Sequence, residues 1–408
     1  MGYATGQFGK NHLGDRNEFL PTVHGLDEFY CNLYHLNAEE EPENPDYPKD
    51  PKFRARFGPR GVLKCKATNS DDPTEDPRFG RVGKQSIEDT GPLTRKRMET
   101  IDDETTDAAV DFMGRQAKAG KPFFCWVCST RMHLYTHVRP SMQGRSGISE
   151  YFDGMLEHDD DVGKLLKAVD DLGIANNTIV LYTTDNGPHM NSWPDGAMTP
   201  FRSEKNTNWE GAFRVPAMIR WPGHIKPGSV SNEIISGHDW FSTFLAAAGD
   251  TDVKERLLKG WQIGDRTYKV HIDGYNLLPY LTGQQDKPER KGFIYFDDDG
   301  QLVALRYENW KVVFCAQETP GTLDIWGQPF TCRRLPLLYN LRMDPYERAD
   351  VTSNTYWDWT LRHAFIFYGA QALVAQFVAT FKEYPPRQRP QSFTVDQIMQ
   401  KLLTPTGD

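Results

Sequence analysis

Apolar residues recur at helical spacing in two long segments of the first half of the chain. The spacing predicts a helix over residues 105–119, which Gly120 would end, and a longer helix over residues 152–172 with Gly173 in the C-cap position. Each predicted helix therefore has one apolar face.

Short, continuous apolar runs follow these helices. Residues 123–128 and 178–184 have the pattern of strands that are buried on both faces of a parallel sheet, and a third core strand is expected over residues 215–221. This alternation of helix and strand predicts an α/β architecture with a mostly parallel central sheet.

After about residue 285 the pattern changes to short apolar strands separated by turn residues. A small antiparallel sheet and a helical tail are expected there, from runs at residues 293–296, 302–305, 310–314 and 337–341. The sequence thus predicts a core domain over residues 1–285 and a C-terminal subdomain with its tail over residues 286–408.

Two other segments bear on the fold. Residues 38–86 are rich in Pro, Asp, Glu and Lys and lack periodicity, which favours a long surface excursion. Residues 364–381 form the most apolar stretch and have about the length of a membrane span. Gln371 and Gln376 within that stretch favour a helix packed on its own domain, so no membrane span is expected.

The composition is that of a globular protein, and it narrows the function. The 408 residues include 38% hydrophobic and 25% charged residues, which suffice for a sizeable core. A net charge of −9 argues against general nucleic-acid binding. Six cysteines are too few for a disulfide scaffold.

Ionisable and amide side chains lie in the sequence just beyond predicted strands or, for one lysine, shortly before one. Because ligands of open α/β sheets bind beyond the carboxyl ends of the strands, we expect these side chains to share one rim. The residues are Lys10, His12, His133, Asp185, Asn186 and Lys205.

This set of residues suits an anionic ester. Asp185 and Asn186 offer hard oxygen donors for Ca²⁺ or Mg²⁺, although Asp-Asn-Gly is also a common turn. Two lysines supply positive charge for a tetrahedral anion, and two histidines allow one general base and one general acid.

Several ordered segments resemble the type I sulfatases, and bacterial arylsulfatases in particular. Residues 2–14, which contain Lys10-Asn-His12, match the second signature of that family with few departures. The resemblance continues at residues 123–133, 157–159, 177–187, 201–216, 273–278 and 338–345. It implies an alkaline-phosphatase-like fold and the hydrolysis of sulfate monoesters.

The resemblance also implies a role for each residue. Lys10 would contact both the nucleophile and the sulfate, and His12 would be the base that releases sulfate from the enzyme intermediate. His133 would be the general acid for the leaving alcohol, and Lys205 a second contact to the sulfate.

The nucleophile of the family is a formylglycine made from Cys in Cys-x-Pro-x-Arg or from Ser in an analogous motif. No cysteine of this chain has Arg four residues later. We therefore expect a truncated chain that lacks the first strand of the family, its nucleophile and two metal ligands. The Ca²⁺ site would be reduced to Asp185 and Asn186 and would bind Ca²⁺ weakly. The resemblance implies a periplasmic or secreted protein, although no export signal is readable.

Other polar residues have interpretations of their own. His189 follows Asp-Asn-Gly closely enough to contact a substrate, and His137 and Arg131 are expected near the rim. Glu210 is interpreted as a helix-start or lysine-pairing residue.

Two alternatives to a sulfatase that acts on a small-molecule sulfate ester stay open. One is a phosphomonoester or phosphonate-ester hydrolase of the same architecture, although a zinc phosphatase would need more His and Asp ligands. The other is a sulfatase-like protein that binds anions without turnover.

Overall fold

The computed structural model describes residues 1–190, 195–196 and 198–387, and these residues divide into two compact units. The first unit consists of residues 1–179 and 195–196, and the second of residues 180–190 and 198–387. The domain boundary expected at residue 285 stays a prediction.

The first unit contains a five-stranded sheet and several helices. Its strands are β1 (Ala4–Gly9), β2 (Glu28–Cys31), β3 (Leu63–Asp76), β4 (Gly80–Asp89) and β5 (Phe123–Cys128). Its α-helices are α1 (Leu36–Glu40), α2 (Pro51–Phe57), α3 (Arg95–Met98), α4 (Ile101–Lys118) and α5 (Glu150–Asp171). Short 3-10 helices lie at Asn17–Phe19, Pro21–Val23, Glu41–Glu43 and Ala175–Asn177.

The strands of this sheet lie in the order β4-β3-β2-β1-β5. Strand β1 runs parallel to β2 and β5, as predicted, whereas β3 and β4 join antiparallel. The sheet is therefore mixed, and the α/β class is confirmed.

Helix α4 confirms the helix predicted over residues 105–119. Its buried residues include Ala109 and Phe112, which pack with Phe8 of β1 in one core cluster. The ring of Phe112 lies 5.4 Å from that of Phe8 and 6.0 Å from that of Phe123. Burying one such side chain contributes about 2–3 kcal/mol, so this contact fixes the helix on the sheet.

Strand β5 differs from the strand buried on both faces that its sequence predicts. It is the last strand of the five-stranded sheet, and its side chains alternate in exposure. Phe124 is 38% and Trp126 is 51% exposed. Phe123, Cys125 and Val127 pack against the core. A continuous apolar run does not distinguish an edge strand from a central one, which explains the error.

The surface excursion predicted over residues 38–86 is wrong for its second half. Strands β3 and β4 form a long hairpin there that extends the central sheet. Beyond Cys65 most residues of β3 are exposed, so the strand has no alternating pattern to reveal it.

The second unit begins with a two-stranded pair and continues into an antiparallel sheet. Its strands are β6 (Val180–Thr183), β7 (Ala217–Arg220), β8 (Trp261–Ile263), β9 (Arg266–Tyr268), β10 (Gly292–Phe296), β11 (Leu302–Tyr307), β12 (Trp310–Ala316) and β13 (Thr331–Asn340). Its α-helices are α6 (Glu210–Phe213), α7 (Asp239–Ala247), α8 (Val253–Lys259), α9 (Leu278–Leu281), α10 (Ala349–Thr352), α11 (Tyr356–Arg362) and α12 (Phe365–Ala379). Short 3-10 helices lie at Leu323–Trp326 and Thr380–Lys382.

The sheet of strands β10 to β13 confirms the predicted antiparallel subdomain. Strands β6 and β7 pair antiparallel, so the parallel arrangement expected for these two segments is wrong. A disulfide between Cys315 and Cys332 joins β12 to β13.

Helix α12 packs on this sheet through one side. Ala370 is buried against Leu305, Val312 and Leu338 of the sheet. By length and composition alone, Phe365–Lys382 could cross a membrane, and 6% of that segment is buried.

Candidate functional site

Three neighbouring parallel strands of the first unit each lead to a histidine. His12 follows β1, His35 follows β2 and His133 follows β5. The ring centroids of His12 and His35 are 5.2 Å apart, with the rings inclined at 80°. Those of His35 and His133 are 5.9 Å apart, and the two rings are stacked at 5°. These three residues, called the histidine cluster below, lie beyond the carboxyl ends of the parallel strands, where α/β proteins bind ligands.

Lys10 also lies at the carboxyl ends of these strands, because Gly9 allows the ends of β1 and β5 to approach each other closely. Gly9 has a φ of +115°, and a Cβ atom there would lie 1.9 Å from the carbonyl oxygen of Cys128. The backbone N–H of Lys10 donates to that oxygen at 2.9 Å. Asn11 N–H donates to the carbonyl of Asn32 at 3.0 Å. Lys10 is thereby fixed beside the ends of β5 and β2.

His35 caps the first turn of α1. Its Nδ1 accepts a hydrogen bond from the backbone N–H of Ala38 at 3.2 Å. An imidazole nitrogen that accepts a hydrogen bond carries no proton, so the ring proton of neutral His35 is on Nε2.

His133 has the opposite tautomer. Its Nδ1 lies 2.9 Å from the carbonyl oxygen of Leu134. Because a carbonyl can only accept, Nδ1 of His133 is the donor, and Nε2 is the nitrogen that gains or loses a proton.

The loop that carries His133 is held by a buried carboxylate. Asp102, 1% exposed, accepts hydrogen bonds from Thr130 N–H at 2.7 Å, Thr130 Oγ1 at 2.9 Å and Arg131 N–H at 3.2 Å. The guanidinium of Arg131 is also buried and pairs with Glu157 at 2.8 Å. Arg131 therefore supports this loop from within the protein.

His137 is paired with a carboxylate of α1. Its Nε2 lies 2.6 Å from Oε2 of Glu40, which also pairs with Arg95 at 2.9 Å. The neighbouring Glu39 has both carboxyl oxygens buried, and burial raises its pKa to about 9. Glu39 is thus neutral at pH 7, whereas Glu40 forms the ion pair with Arg95.

In the second unit, Asp185 and Asn186 follow β6 in a tight turn. Asp185 is exposed and accepts a hydrogen bond from Thr184 Oγ1 at 3.3 Å. Asn186 Nδ2 donates to the carbonyl of Gly187 at 2.8 Å. A Cβ atom at Gly187 would lie 1.9 Å from the carbonyl oxygen of Gly211, so the turn requires glycine for its close approach to α6.

These two side chains meet only part of the requirement of a calcium ion. They supply two hard oxygen donors, whereas Ca²⁺ takes 6–8 oxygen ligands. Among the described residues, no group of three or more His, Cys, Asp and Glu side chains is arranged to hold a metal ion. The expected site is therefore incomplete in residues 1–190, 195–196 and 198–387, and no chemical step is assigned to a metal.

Lys205 and His189 are brought together by a short backbone contact and by Trp326. Lys205 N–H donates to the carbonyl of Pro188 at 2.9 Å, and its Nζ lies 5.9 Å from the Trp326 ring. Trp326 Nε1 donates to Nε2 of His189 at 3.2 Å. Burial and the charge of Lys205 lower the pKa of His189, so this histidine is neutral at pH 7. Lys205, His189 and Trp326 are called the lysine-tryptophan cluster below.

Buried acids anchor the segment that carries Lys205. Glu204 accepts from Met190 N–H at 2.6 Å and from Thr322 N–H at 3.2 Å. Glu210 begins α6 and pairs with Lys311 at 3.3 Å and Arg306 at 3.0 Å. Burial alone would raise the pKa of Glu210, but these cations lower it to about 2. The lysine-pairing interpretation of Glu210 agrees with this geometry.

The structure thus brings Lys10, His12 and His133 together in one unit and places Asp185, Asn186, His189 and Lys205 in the other. The expectation that all of them share one rim stays a prediction.

Two residues of these clusters, His35 and Trp326, were not identified as site residues from the sequence. His35 follows β2, a four-residue strand whose apolar run, residues 29–31, is too short to predict a strand. Trp326 is the last residue of the short 3-10 helix Leu323–Trp326 between β12 and β13. The one signal in the sequence for His35 was its position shortly after Phe29 and Tyr30, and this position is equally typical of an ordinary loop histidine.

Known proteins match almost the whole chain. A family model described as "Sulfatase" matches residues 1–250, and one described as "C-terminal region of aryl-sulfatase" matches residues 288–406. The chain is 30% identical to N-acetylgalactosamine-6-sulfatase from Homo sapiens over 368 residues, which cover 85% of this chain and 61% of that protein. It is 30% identical to arylsulfatase A from Homo sapiens over 367 residues, which cover 86% of this chain and 64% of that protein.

A solved structure is also similar. The crystal structure of the PsFucS1 sulfatase from Pseudoalteromonas sp. aligns with a TM-score of 0.75 at 26% identity, covering 95% of this chain and 72% of that one. The chain spans less than two thirds of the length of the two curated relatives named above.

Proposed function

We propose, since this chain belongs to the sulfatase family, that the protein hydrolyses sulfate monoesters to an alcohol or phenol and sulfate. The observation that carries this proposal is the convergence of Lys10, His12 and His133 at the carboxyl edge of parallel strands. A cation and two proton-transferring groups are what cleavage of a sulfate ester needs besides the attacking nucleophile.

In the first unit, each side chain has a distinct role. Lys10 binds the negatively charged sulfate oxygens. His133 protonates the leaving oxygen from Nε2, because its Nδ1 is committed to the carbonyl of Leu134. His12 is the general base that accepts a proton when sulfate is released from the enzyme.

In the second unit, the lysine-tryptophan cluster binds substrate. Lys205 supplies positive charge for the sulfate and the leaving oxygen, and His189, kept neutral by burial and by Lys205, forms hydrogen bonds without adding charge. Asp185 and Asn186 are proposed as two of the ligands of a Ca²⁺ site that the described residues do not complete.

The nucleophile is not assigned to any residue of this chain. No Cys-x-Pro-x-Arg motif occurs in its 408 residues. Cys31 and Cys65 are buried, and burial raises the pKa of each thiol to about 12. These two cysteines therefore stay protonated and do not attack an ester.

The compartment and partners follow from other features. The disulfide between Cys315 and Cys332 favours an oxidising environment, which supports a periplasmic or secreted protein. The partner is a small-molecule sulfate ester and not a nucleic acid, in keeping with a net charge of −9.

The test uses the 408-residue chain, alone and extended upstream by a segment that carries the nucleophile of the family, with 4-nitrophenyl sulfate, 4-nitrophenyl phosphate and inorganic sulfate. We expect the sulfate ester to be the preferred substrate of the extended chain and inorganic sulfate to bind to both chains in calorimetry. Lys10→Ala should weaken sulfate binding about tenfold to hundredfold, since a hydrogen bond to a charged group contributes about 1.5–3 kcal/mol. Lys118→Ala, at an exposed lysine at the end of α4, is the control and should change nothing.

Other outcomes separate the alternatives. Preferred turnover of 4-nitrophenyl phosphate would identify a phosphomonoester hydrolase. Sulfate binding without turnover of either ester would identify an anion-binding protein. Failure to bind sulfate would contradict the proposal as a whole.

A further inference from the structure

We propose that His35 is a further substrate-binding residue, which donates a hydrogen bond from Nε2–H to an anion oxygen and stays neutral while His133 carries the proton of the stacked pair. This inference rests on the proposed function, because the anion is taken to be the sulfate of the ester.

The position of His35 is the first argument. Strand β2 lies beside β1, and β1 lies beside β5, so the three histidines that follow these parallel strands lie at the same end of the sheet. The His35 ring is close to both other rings, 5.2 Å from His12 and 5.9 Å from His133 by ring centroids. An anion bound by both His12 and His133 would therefore also lie within reach of His35.

The hydrogen bond that caps α1 is the second argument. Nδ1 of His35 can accept from Ala38 N–H only while it is unprotonated. A proton at Nδ1 would place two donors against each other and would remove the cap. The cap therefore keeps His35 neutral, with its N–H on Nε2.

The stacking of His35 and His133 favours a single charge on the pair, and the bond from His133 to Leu134 places that charge on His133. Two imidazolium rings whose centroids are 5.9 Å apart repel each other, so the pair holds one proton more readily than two. His133 keeps its Nδ1–H bond to Leu134 in either protonation state. His133 can therefore take a proton at Nε2 while it keeps the bond from Nδ1–H to Leu134, as a general acid must.

The charged groups around α1 agree with this division. Glu39 is neutral because its burial raises its pKa to about 9, and the Glu40 carboxylate is paired with Arg95 at 2.9 Å. The acidic residues of this helix thus provide little net charge to draw a proton onto His35.

Two variants separate the helix cap from the anion contact. In His35→Asn the side-chain oxygen can still cap α1, because Asn is a preferred N-cap residue, but nothing replaces Nε2–H. In His35→Gln the longer side chain can place an amide N–H near the position of Nε2, while the cap is weakened.

Binding of inorganic sulfate to the full chain is measured by calorimetry, and folding by thermal melting. We expect His35→Asn to melt like the wild type and to bind sulfate about tenfold more weakly, and His35→Gln to bind more tightly than His35→Asn. Unchanged sulfate binding in His35→Asn would overturn the proposal and leave His35 as a helix cap only.

The protonation states are measured independently by ¹⁵N NMR of the histidine rings. We expect His35 to be neutral with its proton on Nε2, and His133 to carry its proton on Nδ1 when neutral and to be the first of the pair to become charged. A charged His35 beside a neutral His133 would overturn the proposal.

Inorganic phosphate as a second probe separates this inference from the proposed function. If phosphate binds and sulfate does not, and phosphate binding depends on His35 in the same way, the sulfatase proposal fails and the assignment of His35 holds. If neither anion binds, the contact assigned to His35 is wrong.

Discussion

The indole N–H of Trp326 donates a hydrogen bond to Nε2 of His189 at 3.2 Å, and the ammonium group of Lys205 lies 5.9 Å from the same indole ring. A neutral histidine is thus held between a hydrogen-bond donor and a positive charge. Both neighbours disfavour its protonated form.

We therefore predict that Lys205→Met raises the pKa of His189. The charge of Lys205 lowers that pKa together with burial, and the substitution removes the charge while keeping an unbranched side chain. The measurement is a pH titration of the His189 ring by NMR. Trp326→Phe should also raise the pKa, because it removes the donor to Nε2. An unchanged pKa of His189 in Lys205→Met would show that the charge of Lys205 does not lower it.

Asp102→Asn should destabilise the first unit by about 2–4 kcal/mol. The substitution leaves Thr130 and Arg131 with a weaker acceptor and removes a buried negative charge near the Arg131 guanidinium. The free energy of unfolding in urea measures the loss. The control is Asp111→Asn in the same helix, where an exposed pair with Arg115 contributes about 0.3–0.5 kcal/mol. Equal effects of the two substitutions would contradict the anchoring role of Asp102.

The ion pairs of Glu210 should make the second unit sensitive to acid. Because the folded-state pKa of Glu210, about 2, lies below its ordinary value of 4.5, these pairs stabilise the folded state fully above pH 4.5. Their contribution is lost as the pH falls toward 2.

Glu210→Gln tests this dependence. The variant should be less stable than the wild type by about 3–5 kcal/mol at pH 7, because it leaves the buried Lys311 without one of its partners. Urea unfolding between pH 2 and pH 5, followed as a function of pH, should show a shallower slope in the variant. Glu255→Gln, an exposed position in α8, is the control. Parallel pH profiles for wild type and Glu210→Gln would refute the assigned pKa direction.

Reduction of the disulfide should destabilise the second unit by about 2–4 kcal/mol. Cys315 and Cys332 are 17 residues apart, and a cross-link that closes a loop of about this length restricts the unfolded chain by such an amount. Urea unfolding with and without dithiothreitol measures the effect. A variant with Ser at both positions should be insensitive to dithiothreitol, and a wild type that is equally insensitive would contradict the prediction.

The fold was predictable wherever one face of an element is buried. Helix α4 was found because Ala109 and Phe112 recur at helical spacing on its buried face. Strand β3 was missed because most of its residues beyond Cys65 are exposed on both faces, so no alternation marks it. Whether a strand is central or at an edge depends on its partners, which explains the wrong prediction for β5.

The candidate site was predictable where a polar residue follows a recognisable apolar run or lies in a segment that resembles the sulfatase signature. His133 follows the apolar run of β5, and Lys10 and His12 lie in the signature segment. His35 has neither marker, because the apolar run of β2 covers only residues 29–31. The tautomers of His35 and His133 depend on single backbone groups, Ala38 N–H and Leu134 C=O, and no pattern of residue types encodes these contacts.

The contact between Gly9 and Cys128 limits how this protein can evolve. Any residue with a side chain at position 9 would push the ends of two strands apart, and Lys10 would move with them. Even a single methyl group at position 9 would clash with the backbone of Cys128 and displace the ends of β1 and β5. Position 9 should therefore remain glycine in homologues that keep the same anion chemistry, even where the surrounding sequence has diverged.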